Sequence, residues 1–273
     1  MGTLNCEVAV QGLPKWTANE AIYLLLGEVP IQAELDIRIL SLFGAITRAE
    51  ENVTLQQLAR RQLAMDNKWS WFHQVTKLRQ KYDININLAV GAPWRKKAWK
   101  QYIKDAVKQY WQMKILEGAS TKTSLKRLDT NNLLRGSPHQ IWSTCKKNPR
   151  MVQAATTRAR LITNTYLLHT KISQFNKSED LCQLCHSEAE DTEHFLLKCP
   201  ALEHLRTTRL IRIKQAGFQK LNVTNPSLPA ILNGPDVEGK DSEEVNRQIS
   251  QMCHRLHTYR INKLNVSKDT KKT

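Results

Sequence analysis

The chain has 273 residues, 41% of them hydrophobic, enough to bury the core of one large domain or two small ones. Lysine and arginine number 41 against 25 aspartates and glutamates, which gives a formal net charge of +16. Residues 89–160 hold 16 basic and only 3 acidic side chains, so most of the excess lies there. A concentrated excess favours a polyanionic partner, nucleic acid or an acidic membrane surface, over a uniformly basic and inert surface.

The cysteines and the N-terminal residues indicate where the protein works. Six cysteines are few for a disulfide scaffold of this length, and three of them are clustered. This usage is typical of a reducing compartment and a metal site. No basic segment precedes an apolar run near Met1, and no run is long enough to cross a membrane. We therefore expect an intracellular protein of the nucleus or cytoplasm that is not secreted and has no membrane partner.

Hydrophobic periodicity predicts helices along the whole chain, so the expected fold class is all-α, with a small metal knuckle near the C-terminus. Residues 17–20 have the form of a capping box, and Gly27 ends the helix that follows. Further helices are expected after Pro30, from Thr54 and over residues 70–82. In the helix after Pro30 the apolar residues at helical spacing are Leu35, Ile39, Leu42, Phe43 and Ile46.

The segment Trp94–Glu117 predicts a basic helix with an apolar stripe. Its lysines at intervals of three, four and four form one face, called the lysine ridge below: Lys97, Lys100, Lys104 and Lys108. Like charges at this spacing destabilise an isolated helix by a few tenths of a kcal/mol per pair, so the ridge favours an anion lying along it over a solvated face. The candidate nucleic-acid contacts are Arg95, Lys96, Lys97, Lys100, Lys104, Lys108, Lys126, Arg127, Arg158 and Arg160.

Aromatic residues lie among these lysines. They could stack on unpaired bases or build the core: Trp94, Trp99, Tyr102, Tyr110 and Trp111. For Trp99 and Tyr110 the helical apolar stripe favours the core.

The rest of the chain predicts a helix from Met151 to about His169, a loop over 222–241 and a last amphipathic helix from Asp241 or Ser242. The apolar face of the last helix comprises Val245, Ile249, Met252, Leu256 and Tyr259. The expected segments are a helical region over 1–90, a basic helical region over 91–175, a zinc knuckle over 176–216, a loop and amphipathic helix over 217–266, and a disordered tail over 267–273.

The stretch 181–200, LCQLCHSEAEDTEHFLLKCP, contains the cysteine cluster. It supplies the four ligands of a closed tetrahedral zinc site, which we predict to be Cys182, Cys185, His194 and Cys199. Pro200 pushes the preceding residue out of the helical region, so the chain can unwind and return the Cys199 sulfur to the metal. His186 is a rival imidazole, but its position next to Cys185 strains joint ligation. One structural Zn²⁺ with no open position argues against hydrolytic chemistry.

This segment resembles the zinc knuckle of the reverse-transcriptase zinc-binding domain of non-LTR retrotransposons, the LINE-like and jockey-like elements. The resemblance covers roughly residues 10–265. It includes, in order, Gly12–Gly44, Lys68–Phe72 with Lys77–Tyr82, Arg158–Leu161 with Tyr166, and His257–Arg260. It implies the C-terminal region of a reverse transcriptase that binds element RNA or target DNA, with the rest of the parent enzyme as a further partner.

The polymerase centre of that family uses palm aspartates with a Tyr-x-Asp-Asp turn. No Asp-Asp pair occurs in this sequence, so we expect no enzymatic activity from this chain.

Two other functions remain open at this point. One is a zinc-stabilised protein-interaction scaffold that binds a partner on the apolar face of the last helix. The other is a PD-(D/E)xK-like nuclease, suggested by Pro235, Asp236, Glu238 and Lys240. The nuclease is a distant third, because only Val237 separates the two acids in a Gly- and Pro-rich loop.

Overall fold

The computed structural model describes residues 11–48, 54–65, 67–85, 95–142, 144–145, 148–177, 179–219, 221–235 and 240–269. This part of the chain is mainly helical, as predicted, and it contains no strand. The α-helices are α1 (Asn19–Leu26), α2 (Ile31–Thr47), α3 (Thr54–Ala64), α4 (Trp71–Lys81), α5 (Lys96–Ser120), α6 (Asn131–Arg135), α7 (Val152–Ile162), α8 (His169–Asn176), α9 (Glu203–Gln215), α10 (Leu228–Asn233) and α11 (Lys240–Asp269). No helix in these ranges is long and apolar enough to span a bilayer.

The chain divides into two compact units. The main unit comprises Met1–Glu28 and Gly118–Thr273, and the insert unit comprises Val29–Glu117. This division differs from the predicted boundary at residue 90, which follows a change in surface charge. The division follows packing contacts instead of charge. α1 packs on α6 within the main unit, and most of α5 belongs to the core of the insert unit.

The insert unit is built around the buried indole of Trp99. Its Nε1 donates a hydrogen bond to the Leu40 carbonyl oxygen at 3.0 Å. Gly44, one turn after Leu40, leaves the space for this contact, because a Cβ there would lie 1.9 Å from Trp99 Nε1. The buried side chains of this core are Ala33, Leu40, Phe43, Val75, Tyr82, Ile84, Trp99, Ile103 and Val107. The predicted core position of Trp99 is confirmed.

Substituting Gly44 by alanine is expected to destabilise the insert unit by about 1–3 kcal/mol, because the added methyl overlaps the Trp99 ring and the surroundings must shift. Gly118→Ala is the matched control. Its Cβ meets the flexible carboxylate end of Glu20 at 2.7 Å, and alanine favours a helix over glycine by about 1 kcal/mol. Urea unfolding measures both variants. A Gly44→Ala variant as stable as the unaltered chain would contradict the packing.

The predicted apolar face of α2 is wrong at Leu35 and Leu42, which are 46% and 54% exposed. The buried face of the helix instead includes Asp36, at 1% exposure. Its carboxylate accepts hydrogen bonds from Lys81 Nζ at 3.1 Å and from the Tyr82 hydroxyl. Because Lys81 neutralises the buried carboxylate and Tyr82 donates a hydrogen bond to it, this polar residue faces the core and the two leucines face the surface.

In α1 the capping-box prediction is also wrong. The Thr17 hydroxyl donates to the Pro14 carbonyl oxygen, and the helix begins at Asn19 without a side-chain cap. The predicted end at Gly27 is confirmed by its positive φ of 68°.

Helices α7, α9 and α11 form the centre of the main unit. The predicted amphipathic helix is confirmed, with Val245, Ile249, Met252 and Leu256 buried and Tyr259 half-buried. No glycine or proline follows Val245, and α11 continues to Asp269. The predicted disordered tail is therefore wrong at residues 267–269, while residues 270–273 lie outside the described part.

Two connections differ from the prediction. The helix expected from Met151 to about His169 is interrupted after Ile162, because Asn164 adopts a left-handed φ of 55° and α8 starts at His169. The expected loop over 222–241 contains α10, whose first turn is capped by the Ser227 hydroxyl oxygen.

Candidate metal centre and basic surfaces

The first two predicted ligands lie in a tight turn. An antiparallel bridge joins Leu181 to Ala189, and Cys182 N–H donates to the Glu188 carbonyl oxygen at 2.7 Å. The His186 N–H donates to the Cys182 carbonyl oxygen at 2.8 Å and closes the turn. His186 has a left-handed φ of 56°, and its side chain is exposed. The turn thus supplies both sulfurs and leaves this imidazole outside the cluster.

The other two ligands lie at the ends of a widened helical turn. Residues His194–Lys198 form a π turn, and Cys199 N–H donates to the His194 carbonyl oxygen at 2.7 Å. In an α-helix, residues five apart point about 140° away from each other. The wider turn closes on a residue five positions back, so both side chains reach the same centre. Cys199 lies outside the helical region, at φ −55° and ψ 117°, which confirms the break predicted before Pro200.

The four ligand atoms lie within 4.8 Å of one another, and the group comprises Cys182, Cys185, His194 and Cys199. The Cys182 and Cys199 sulfurs are 3.9 Å apart, and Cys185 Sγ lies 3.3 Å from His194 Nε2. Tetrahedral bonds of about 2.3 Å to one ion place two sulfurs about 3.8 Å apart. The predicted ligand set is therefore brought together in a geometry that one metal ion fits. The cluster is not C-terminal, since α9, α10 and α11 follow it.

The pKa values of the three thiols show that two of them resist ionisation. Burial, and then the neighbouring Cys182, raises the pKa of Cys199 to about 12. Burial likewise raises the pKa of Cys182. Burial also opposes ionisation of Cys185, but hydrogen bonds with Ser187, Cys182 and His194 together outweigh it and lower the pKa to about 6. Three thiolates this close repel one another, and a divalent cation at their centre stabilises all of them.

Residues around the ligands orient and neutralise them. His194 Nε2 faces the sulfurs, while its Nδ1 lies 3.1 Å from Glu188 Oε2. Such a carboxylate partner is typical of a metal-bound histidine. The Asp191 carboxylate accepts a hydrogen bond from His194 N–H at 2.7 Å. Buried Arg206 donates to the Cys199 carbonyl oxygen at 3.3 Å. Its positive charge would offset the charge of about −1 that three thiolates would carry together with a divalent cation.

A buried ion pair joins the metal segment, residues 181–200, to α11. Arg260 Nε and Nη2 donate to the two Glu190 carboxylate oxygens at 2.7 and 2.6 Å, and the residues are 4% and 0% exposed. Phe195 stacks on Tyr166 with ring centroids 5.6 Å apart. The Tyr166 hydroxyl lies 2.6 Å from His257 Nδ1. The metal segment is therefore part of the main-unit core.

The comparisons with known proteins give no relative. No protein-family model, curated protein or solved structure matches this chain. The similarity to the retrotransposon zinc-binding domain therefore rests on the residues quoted above, and its functional consequences are proposals.

Most of the predicted nucleic-acid contacts lie on the surface. Six of them precede or belong to α5 in the insert unit, and all are exposed: Arg95, Lys96, Lys97, Lys100, Lys104 and Lys108. Lys126 and Arg127 belong to the main unit, where Lys126 is exposed and Arg127 is half-buried. The structure thus places the lysine ridge and Lys96 on one helix, with Arg95 directly before it.

The prediction for Arg158 is wrong, and that for Arg160 stays a prediction. Arg158 is 0% exposed, and it donates from Nε to the Leu232 carbonyl oxygen at 2.8 Å and from Nη1 to Asn246 Oδ1 at 2.9 Å. A buried guanidinium such as that of Arg158 cannot reach a phosphate. Arg160 is half-buried and donates twice to the Gly12 carbonyl oxygen, at 2.9 and 2.6 Å. The sequence feature that could have predicted the burial of Arg158 is its apolar neighbours three and four positions away: Ala154, Ala155, Leu161 and Ile162.

The aromatic residues of α5 build the insert unit. Tyr102, Tyr110 and Trp111 are half-buried against its core. Tyr110 contacts the Tyr82 ring edge-on at 5.1 Å, and Trp111 Nε1 donates to the Tyr82 hydroxyl at 3.0 Å. These packing contacts compete with base stacking. Trp94 lies outside the described residues.

Proposed function

We propose that the chain is a zinc-stabilised nucleic-acid-binding module whose insert unit holds phosphates along the lysine ridge. The observation that carries the proposal is an exposed face of four lysines. Within the described ranges no carboxylate pairs with any of them, and Asp105 on the same helix accepts from Gln101 instead. An uncompensated basic face is the electrostatic footprint of a nucleic-acid-binding surface.

The metal in this proposal is zinc. Three thiolates and one imidazole in tetrahedral order are a characteristic zinc ligand set. All four positions belong to the protein, so the ion has a structural role and leaves no site for an activated water. Thiolate ligands of this kind persist in a reducing intracellular compartment, in keeping with the expected nuclear or cytoplasmic location.

The resemblance supports the choice of ligand. Retrotransposon reverse transcriptases act on their own RNA and on target DNA, so we propose one of these as the polyanion and the parent enzyme as a partner. We propose no catalytic role for this chain, since the palm carboxylates are lacking. Lysine contacts to phosphates carry no base information, so the ridge is expected to bind without sequence preference.

Replacing the ridge lysines by glutamine tests the function. In duplex DNA binding, the quadruple variant of Lys97, Lys100, Lys104 and Lys108 is expected to flatten the slope of log affinity against log salt by roughly 3 to 4 units, because each lysine displaces condensed counterions. The control replaces four exposed lysines elsewhere, at positions 15, 68, 77 and 263, and removes the same charge. An unchanged slope in the ridge variant, with zinc retained, would reject the proposed interface.

The protein-interaction scaffold is the second candidate. The apolar face of the last helix cannot serve it, because Val245, Ile249, Met252 and Leu256 are buried in the main unit. A partner would instead contact the exposed apolar stripe of α2, formed by Ile31, Leu35 and Leu42. Binding there would change little with salt, which separates it from phosphate binding. Of the nuclease pattern, Asp236 and Glu238 lie outside the described residues.

A further inference from the structure

Four arginines lie on α9 and α11, two helices that pack on each other in the main unit. Arg209 and Arg212 are three residues apart and share a face of α9, while Arg247 and Arg255 are eight apart and share a face of α11. The two helices are in extensive contact. The sequence does not predict this cluster, because residues 161–273 carry nearly balanced charge and the two pairs of arginines lie far apart in the chain.

Arg209 lies at the centre of the cluster, and its side chain is only 7% exposed. Its Nη1 donates to the amide oxygens of Gln248 and Gln251 at 3.0 and 3.2 Å. Its Nε is buried without an acceptor. Burial, and then the charges of Arg255, Arg212 and Arg247, lowers the pKa of Arg209. The cluster thus holds more donors and more positive charge than its surroundings satisfy.

The Glu244 carboxylate neutralises one of the four guanidinium groups, that of Arg247. Glu244 accepts from Arg247 Nε at 2.7 Å and also from Gln248. Arg212 and Arg255 are exposed, and neither forms an ion pair with a described carboxylate. Like charges gathered at a helix contact destabilise the fold unless an anion lies among them. A phosphate group suits this arrangement, because its several oxygens accept the paired donors of more than one guanidinium.

We propose that Arg209, Arg212, Arg247 and Arg255 form a phosphate-binding site on the main unit. It is separate from the lysine ridge, which belongs to the insert unit. Its ligand is a phosphate group, supplied either by a nucleic-acid backbone or by a free compound such as a polyphosphate. The exposed Arg212 and Arg255 contact the phosphate directly, and Arg209 and Arg247 add positive charge next to it.

Calorimetric titration of the full chain with pyrophosphate at low salt tests the site. The unaltered chain is expected to bind, and the double variant Arg212→Gln/Arg255→Gln is expected to bind at least about 10-fold more weakly, because two charge-assisted contacts are lost. Both positions are exposed, so the fold is expected to survive. The control Lys214→Gln/Lys263→Gln removes the same charge from the exposed surfaces of the same two helices.

Absence of pyrophosphate binding by the unaltered chain, or equal affinity of the arginine variant and its control, would overturn the site. A second titration identifies the source of the phosphate. If it is a nucleic-acid backbone, the arginine variant flattens the salt slope for a single-stranded oligonucleotide by about 1.4 units. If pyrophosphate affinity falls and this slope does not, the source is a free phosphate compound. The lysine-ridge variant leaves pyrophosphate binding unchanged, so the site and the proposed function can fail separately.

Discussion

Replacing Cys199 by serine is expected to weaken metal binding and to destabilise the segment around it. Structural zinc contributes about 10–16 kcal/mol of binding free energy in small zinc domains, or roughly 2.5–4 kcal/mol per ligand. Losing one thiolate therefore weakens Zn²⁺ binding by about 60- to 700-fold. The damage spreads, because Phe195 and Leu196, which lie between His194 and Cys199, are fully buried in the main-unit core.

Zinc affinity, from competition with a chelator, and the chemical unfolding midpoint measure this effect. Cys145→Ser is the matched control, since that thiol is half-buried and lies outside the metal cluster. His186→Ala is a second control, because this imidazole is exposed beside Cys185 and takes no part in the cluster. A zinc affinity that is unchanged in Cys199→Ser, or that falls equally in the controls, would show that the sulfur is not a ligand.

Substituting Arg260 by alanine is expected to destabilise the main unit by about 3–5 kcal/mol. The change leaves the Glu190 carboxylate, at 0% exposure, without the guanidinium that neutralises it. Lys263→Ala, on the exposed side of the same helix, removes an equal charge and is expected to cost less than about 1 kcal/mol. Zinc content should remain at one per chain in both variants, since no ligand is changed.

A double variant separates a lost attraction from an uncompensated charge. Glu190→Gln/Arg260→Met removes both charges, and it is expected to be more stable than Arg260→Ala because no buried ion remains unpaired. Guanidinium chloride unfolding of the zinc-loaded proteins measures all three variants. If Arg260→Ala is as stable as Lys263→Ala, the ion pair does not hold the metal segment to α11.

Local sequence signals predicted much of the fold. The helices follow from apolar spacing, as in α11, and the end of α1 follows from Gly27. The metal ligands follow from their spacing, and the break at Cys199 follows from Pro200, because proline acts on the residue next to it. These features depend on residues close together in the chain.

Features set by distant partners could not be predicted. Glu190 and Arg260 are 70 residues apart, so nothing near either residue marks the pair. Asp36 is buried because Lys81 and Tyr82, at the end of α4, donate hydrogen bonds to it. The π turn was also missed, since local preference favours an α-helical turn and only the shared centre requires the wider one. For the same reason, Arg158 was predicted to lie on the surface although it is buried.

X-ray absorption at the zinc K-edge gives the most direct test of the four-ligand centre. For the purified chain we expect one zinc with three sulfur neighbours at about 2.3 Å and one nitrogen at about 2.0–2.1 Å. The sulfur count should fall from three to two in any zinc that Cys185→Ser retains. An ion bound mainly by oxygen or by two sulfurs in the unaltered chain would contradict a closed site formed by Cys182, Cys185, His194 and Cys199.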